Sequence, residues 1–226
     1  MRKGRIGYFV YRLRLGLRLW PLRWRRLWTP LPPSVVNTAL LDRLFQWLDL
    51  LFLFDCYEAI CGLLYPGLRP LTRQEIRLLT PIFGDSLPYA LIRIDERAWV
   101  GPRHYRFYYV SFHTINSWGP LTEAVLVHEA VHVWQYVHRG GCYIPRALAA
   151  QRTVMGYDYG GLRGLAAAAT LDDFNYEQMA DVVEDAFRLR VGLSLKWVVG
   201  RQPDPLRHYA RLTEQLLVAL PHPYGR

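Results

Sequence analysis

Hydrophobic and polar positions change rhythm along the chain, and each rhythm predicts a different element. From Tyr11 to Leu19 the apolar residues at odd positions alternate with Arg12, Arg14, Gly16 and Arg18. A repeat of two predicts an extended amphipathic strand, since successive strand side chains point to opposite faces. The stretch from Trp28 to Pro33 carries three prolines, which lack the N–H a continuing helix needs. From Ser34 to about Leu64 the sequence is mostly apolar, with Asp42, Asp49, Asp55 and Glu58 spaced as a narrow wet stripe. That pattern predicts one or two helices, with Ser34 a candidate N-cap.

Beyond Arg69 the elements are shorter and their ends are better marked. Thr72 with Glu75 forms the pattern of a capping box and predicts a helix from Arg73 to about Leu79, ahead of Pro81. Tyr89 to Ile94 and Tyr105 to Thr114 read as strands, the second rich in Tyr, Phe and Val. After Gly119-Pro120 a strong helix runs from Leu121 to about His138, with Glu123 in its first turn and Gly140-Gly141 at its end. A glycine-rich loop follows. Further helices are expected from Asp172 to Arg190, capped by Asp172, Asp173 or Asn175, and from Pro205 to about Leu220. The chain therefore reads as α+β: residues 1–33 a basic aromatic arm, 34–68 an apolar helical segment, and 69–226 the main domain.

Charge sharpens this division. The formal net charge is +9 over 226 residues, and nine basic residues precede the first acid, Asp42. The arm thus holds the whole excess and the body is near neutral. Its arginines are interleaved with Tyr8, Phe9, Tyr11, Trp20, Trp24 and Trp28, a composition suited to an anionic membrane surface or a partner protein, with nucleic acid the weaker alternative. The apolar run Ile6 to Tyr11 is too short for a signal peptide. Leu40 to Leu68 is broken by five charged residues and never reaches the ~20 clean residues of a membrane span. Cys56, Cys61 and Cys142 lack the spacing of a thiolate metal site or redox pair. These features predict a cytoplasmic chain, or one peripheral at a membrane, with export by a secretion system compatible.

The chemistry sits in Val127-His128-Glu129-Ala130-Val131-His132, an HExxH pattern in mid-helix. His128 and His132 are one turn apart, about 40° around the axis, so both imidazoles can meet one ion. Two imidazoles, a third protein ligand and a water make a catalytic zinc site. Glu129 is then the base that takes a proton from the zinc-bound water. The third ligand has two candidates. His138 stands at the spacing of a metzincin ligand, but Gln135 replaces the glycine that would end the helix, and on a continuous helix His138 lies about 240° away from His132. Glu177 is the alternative, on a helix where Asp181 and Glu184 share its face and Asp181 can hold the far nitrogen of His128 or His132. Oxyanion stabilisers by residue type are Tyr157, Tyr159, His113 and His104.

Several stretches together resemble a bacterial family: Arg69-Pro70-Leu71-Thr72 with Glu75, Phe83-Gly84-Asp85-Ser86, Ile92-Arg93-Ile94, the HExxH with Trp134-Gln135, and Glu177-Gln178 with Ala186-Phe187. This is the zincin-like domain of Vgr-related proteins, kin to the HExxH core domain found with contractile injection systems and type VI secretion loci. The likeness spans about Arg69 to Arg190, and the site is similar to that of gluzincins. It implies a zincin-like fold: a small antiparallel sheet packed on the HExxH helix, with a Glu-bearing helix downstream. It also implies a zinc metallopeptidase using His128, His132, Glu177 and Glu129, supported by Asp181 and acting on a peptide or protein. The competing expectation is an interaction or assembly subunit of a larger complex, attached through its arm and with little or no catalysis.

Overall fold

A computed structural model of the chain describes residues 2–31, 37–65, 67–97, 108–198, 205–217 and 222–224. The N-terminal stretch is a helix, α1 (Arg2–Trp28), where the period of two predicts a strand. At about 100° per residue Arg12, Leu15, Leu19, Arg23 and Leu27 share one face, and all five are buried. The strand pattern arises from counting the buried Arg12 as solvent-facing along with the exposed Arg14 and Arg18.

Helices α2 (Ala39–Leu50) and α3 (Leu53–Leu64) pack on α1, and the expected wet stripe is their interior. Asp42, Asp49, Asp55 and Glu58 are all buried. Arg12 Nη2 reaches Asp55 Oδ1 at 3.3 Å and also pairs with Glu58. Arg23 Nη1 lies 2.5 Å from Asp55 Oδ2 and its Nε 3.1 Å from Asp49 Oδ1. Glu58 continues the network into the main domain, accepting from the His113 backbone N–H at 2.8 Å, with its other oxygen 2.9 Å from His113 Nδ1. Burial pushes the Glu58 carboxyl up, but Arg12 and His113 outweigh it and hold it below the usual range. Gly16 and Gly62 permit the close crossing of α1 and α3: a Cβ at Gly16 would stand 2.9 Å from the Phe52 ring, and one at Gly62 2.8 Å from Tyr8. The candidate cap Ser34 lies outside the described residues.

The sheet is small and mixed, whereas an antiparallel one is expected. Its strands, β1 (Arg69–Pro70), β2 (Arg93–Asp95), β3 (Tyr109–Ser111) and β4 (Thr114–Asn116), run in the order β1-β2-β4-β3. The β2–β4 pair is parallel, with Ile94 opposite Ile115. The single strand expected from Tyr105 to Thr114 is in part a tight hairpin, turning at Phe112 with φ 61° and at His113. Positions 105–107 of that stretch lie outside the described residues. β3 forms an edge.

Helix α4 (Arg73–Phe83) carries the capping box, Thr72 Oγ1 accepting from Glu75 N at 3.2 Å while Glu75 accepts from Thr72 N at 2.6 Å. It runs on through Pro81, two turns into the helix, rather than stopping at Leu79. Helix α5 (Glu123–Arg139) crosses β3 and β4 with α4, α6 (Tyr143–Gln151) and α8 (Tyr176–Arg190) packed around it. Val127, Ala130, Val131, Ile115, Ala180 and Val183 fill that core. The expected glycine-rich loop contains α6 and the short α7 (Gly161–Ala167). Helix α9 (Pro205–Leu217) closes against α8 and α4.

Candidate metal centre

The site forms where α5 and α8 cross. Thr122 caps α5, its Oγ1 accepting from Val125 N at 3.3 Å, and the mid-helix register turns His128, Glu129 and His132 toward α8. Asn175 caps α8 by accepting from Glu177 N at 2.9 Å and Gln178 N at 2.8 Å, while Gln178 Oε1 accepts from Asn175 N in return. Glu177 therefore sits in the first turn, where the helix dipole favours a carboxylate.

Three side chains converge. Glu177 Oε2 is 3.6 Å from His128 Nε2 and 3.4 Å from His132 Nε2, and one ligand atom from each residue lies within 4.8 Å of the others. Each converging group is held from behind. Glu177 Oε1 accepts from Gln151 Nε2 at 2.8 Å. His132 Nδ1 donates to Gln135 Oε1 at 2.9 Å, and Gln135 Nε2 donates to the Tyr176 carbonyl at 2.9 Å. His128 Nδ1 lies within ion-pairing distance of Asp181 Oδ1 (2.9 Å) and Glu184 Oε2 (3.3 Å). His132 Nδ1 is thus hydrogen-bonded, while His128 Nδ1 is ion-paired without hydrogen-bond geometry; both Nε2 atoms are left to face Glu177.

His128 with Asp181 and Glu184 makes a second group of suitable spacing. Lys196 Nζ lies 3.0 Å from Asp181 Oδ1 and 2.6 Å from Glu184 Oε2, and Trp197 Nε1 donates to Asp181 Oδ2 at 2.5 Å. An ammonium already supplies the positive charge there, so this group orients His128.

Electrostatics fit a cation at the first group. Glu129, Glu177, Asp181 and Glu184 are all buried. His128 is raised well above its ordinary value, and His132 is raised as well. Burial alone would lower both, but Asp181 and Glu177 outweigh it at His128, as Glu177 does at His132. The same imidazolium partners overcome burial to lower Glu177. Protons on the imidazoles thus balance an excess of buried carboxylate, which a metal ion would otherwise balance. Glu129 is raised, by burial first, and its Oε2 is buried without a hydrogen-bond partner.

A cavity of ≈ 530 Å³ opens onto His128, Glu129, His132 and Glu177. Its other walls are apolar and aromatic: Phe54 and Tyr57 of α3, Val110 and Phe112 around β3, Ile144 of α6, and Tyr157. Of the oxyanion candidates Tyr157 lines this cavity, its ring centroid 6.2 Å from that of His128. Tyr159 donates to Asp185 at 2.6 Å and His113 is locked between Glu58 and Tyr224, both away from the cavity. His104 lies outside the described residues. His138 points elsewhere: α5 continues to Arg139, His138 Nε2 bonds the Ser86 carbonyl at 2.9 Å, and its ring stacks on Trp134. Burial holds His138 down at about 4, so it is neutral. Tyr143 binds the β3 edge from inside, its hydroxyl donating to Val110 O at 2.7 Å and accepting from Phe112 N at 3.0 Å.

Sequence reasoning misses Gln135, Lys196 and Trp197 as orienting groups. Gln135 is findable, since it stands one turn from His132 on the same face. Lys196 and Trp197 have no local signal.

The fold and site together define a mostly helical α+β chain with a buried His–His–Glu group that could hold a metal ion. Part of it is similar to the type VI secretion system spike protein VgrG2b of Pseudomonas aeruginosa, 29% identical over 131 aligned residues. That alignment takes in 53% of this chain but only 13% of the spike protein's length. No family model matches the chain, and no solved structure matches it significantly.

Proposed function

We propose that this chain is a zinc-dependent metallopeptidase of zincin type, cleaving peptides or proteins that offer a large apolar side chain beside the scissile bond. The observation that carries the reading is the convergence of His128 Nε2, His132 Nε2 and Glu177 Oε2, the last two held from behind by Gln135 and Gln151, beside a buried carboxylate, Glu129, whose Oε2 lacks a hydrogen-bond partner. Two neutral imidazoles and one carboxylate are the donor set of a catalytic zinc, and a bound zinc would supply the Lewis acidity that activates water and polarises a carbonyl.

The chain's own residues supply the rest. Asp181, Glu184 and Gln135 keep the imidazoles oriented. Glu129, with its proton affinity raised by burial, takes a proton from the attacking water and delivers it to the departing amine. Tyr157 faces the same cavity, and burial raises its hydroxyl so that it stays protonated; it is the available donor to the developing oxyanion. The cavity's aromatic walls accept an apolar side chain and exclude water from the reacting bond.

The test couples metal analysis to hydrolysis. Wild type and His138→Ala should carry about one zinc per chain, Glu177→Ala should lose it, and Glu129→Gln should keep zinc while losing turnover of an apolar peptide library. Zinc loss in His138→Ala alone, or unchanged hydrolysis in Glu129→Gln, would overturn the reading.

A second reading, an assembly subunit of an injection or secretion complex without catalysis, is favoured by the similarity to a spike protein. It predicts the same fold with no hydrolysis at any metal loading.

A further inference from the structure

The three N-terminal helices turn outward what a globular protein ordinarily buries. At about 100° per residue, Ile6, Val10, Leu17, Trp20, Trp24 and Trp28 of α1 fall within one sector of roughly 80°, opposite the buried face of Arg12, Leu15 and Arg23. All six are exposed, Leu17 and Trp28 to 66% and 67%. Trp20 and Trp24 stack with ring centroids 5.7 Å apart, and Trp28 meets Trp24 edge-on. Arg14, Arg18 and Arg25 flank this sector along one side, and all three are exposed.

The neighbouring helices repeat the arrangement. Leu40, Leu44 and Trp47 share one outward face of α2, and Leu53, Tyr57, Ile60 and Leu64 share one of α3. Leu40 is 86% exposed. The acids of these helices, Asp42, Asp49, Asp55 and Glu58, are all turned inward. The outer surface of α1–α3 therefore presents apolar side chains and arginines with no carboxylate among them.

We propose that the outward face of α1 seats this helix in the interface of an anionic lipid bilayer, lying on the membrane rather than crossing it. Single exposed apolar residues are ordinary, but six on one face of α1, three of them tryptophans in ring contact, form a stripe that calls for an apolar partner. Charge selects the partner. A face whose charges are all positive is complementary to phosphate head groups, whereas a symmetric contact with a second copy would set Arg14, Arg18 and Arg25 against their own counterparts. Tryptophans in a row beside arginines are the residues that reside at the depth where acyl chains meet head groups. Among the described residues no helix is long and apolar enough to cross a membrane, which leaves the in-plane orientation. The inference is independent of the metal chemistry, since no α1 residue lines the cavity at the His–His–Glu group.

Sedimentation of the full purified chain with phosphatidylcholine vesicles, with and without phosphatidylglycerol, tests it. Binding should require the anionic lipid, weaken as salt rises, and shift tryptophan emission to the blue with quenching by brominated acyl chains. Arg14→Gln/Arg18→Gln/Arg25→Gln should weaken binding about a hundredfold, at roughly fivefold per arginine, and Trp20→Ser/Trp24→Ser should abolish the blue shift. These positions are exposed, so the variants should unfold at the wild-type temperature. Glu129→Gln should bind vesicles like wild type, which separates this result from any failure of the peptidase reading. The proposal is overturned if anionic vesicles do not bind the folded chain at low salt. It is equally overturned if the triple arginine variant binds as wild type does, or if that variant instead dissolves a dimer seen without lipid.

Discussion

Replacing Arg12 by methionine should destabilise the chain far more than its position in a basic N-terminal arm suggests. Arg12 is fully buried, and its guanidinium answers Asp55 and Glu58, whose side chains are 1% exposed. Methionine is comparable in length and apolar, so the cost lies in the carboxylates left behind. Removing one partner of a buried pair typically costs about 3–5 kcal/mol. Arg23 still answers Asp55, so the uncompensated charge is chiefly that of Glu58, and the lower half of that range is expected. At roughly 2–4 °C per kcal/mol for a domain of this size, the midpoint should fall by about 6–16 °C. Arg12→Met/Glu58→Gln should recover at least half of the loss, because Gln keeps an acceptor for the His113 N–H while removing the charge. Arg14→Met, two positions away on the exposed side, should change stability by less than about 0.5 kcal/mol. Urea unfolding followed by circular dichroism reads all three. Equal effects of Arg12→Met and Arg14→Met would refute the buried arginine face and with it the helical docking of α1.

Three further outcomes follow from the site and its surroundings. Gln135→Leu removes the acceptor of His132 Nδ1 and should weaken zinc binding about 10- to 100-fold, measured by competition with a chelating dye; unchanged affinity would show that His132 needs no such support. Tyr157→Phe should lower kcat about a hundredfold with zinc content and KM unchanged if the hydroxyl binds the oxyanion, and an unaltered kcat would remove that role. His138 bears on pH: it is held at about 4 in the folded chain and titrates near 6.5 when unfolded, so the unfolded state binds the proton first. Its contribution is present above pH ~6.5 and lost as pH falls toward 4, at up to about 1.4 kcal/mol per unit. His138→Gln should flatten stability in that window relative to wild type, and parallel curves would refute the assignment.

The parts of this fold legible in the sequence are those whose signals are local. The HExxH spacing and the Thr72–Glu75 box each act within one helical turn, so they place α5 and the start of α4 from the residues alone, whereas the start of α8 is left open among Asp172, Asp173 and Asn175 until the structure caps it at Asn175. The convergence of Glu177 with His128 and His132 follows from two such helices, though their crossing is a tertiary fact. What fails is polarity used as a proxy for exposure. Arg12 and Arg23 look solvent-facing until their partners, 26 to 46 positions away, are known, and the same blindness makes the carboxylates of α2 and α3 a wet stripe. The hairpin at Phe112 is missed for a different reason: Tyr, Phe and Val favour strands on both sides of it, so composition does not mark the turn. Lys196 and Trp197 follow Asp181 by 15 and 16 positions, beyond any periodic signal.

Helix α3 gives its residues two employers. Leu53 and Tyr57 line the cavity beside the site, while the same side chains continue the outward stripe that includes Ile60 and Leu64. Under the peptidase proposal, selection on what enters the cleft and selection on what meets this outward stripe therefore act on one short helix. A substitution at Leu53 or Tyr57 that improves one trait is exposed to a penalty in the other. Under the peptidase proposal, drift in specificity should be slow along α3 and faster on α6, where Ile144 and Ala147 line the same cavity without that second duty.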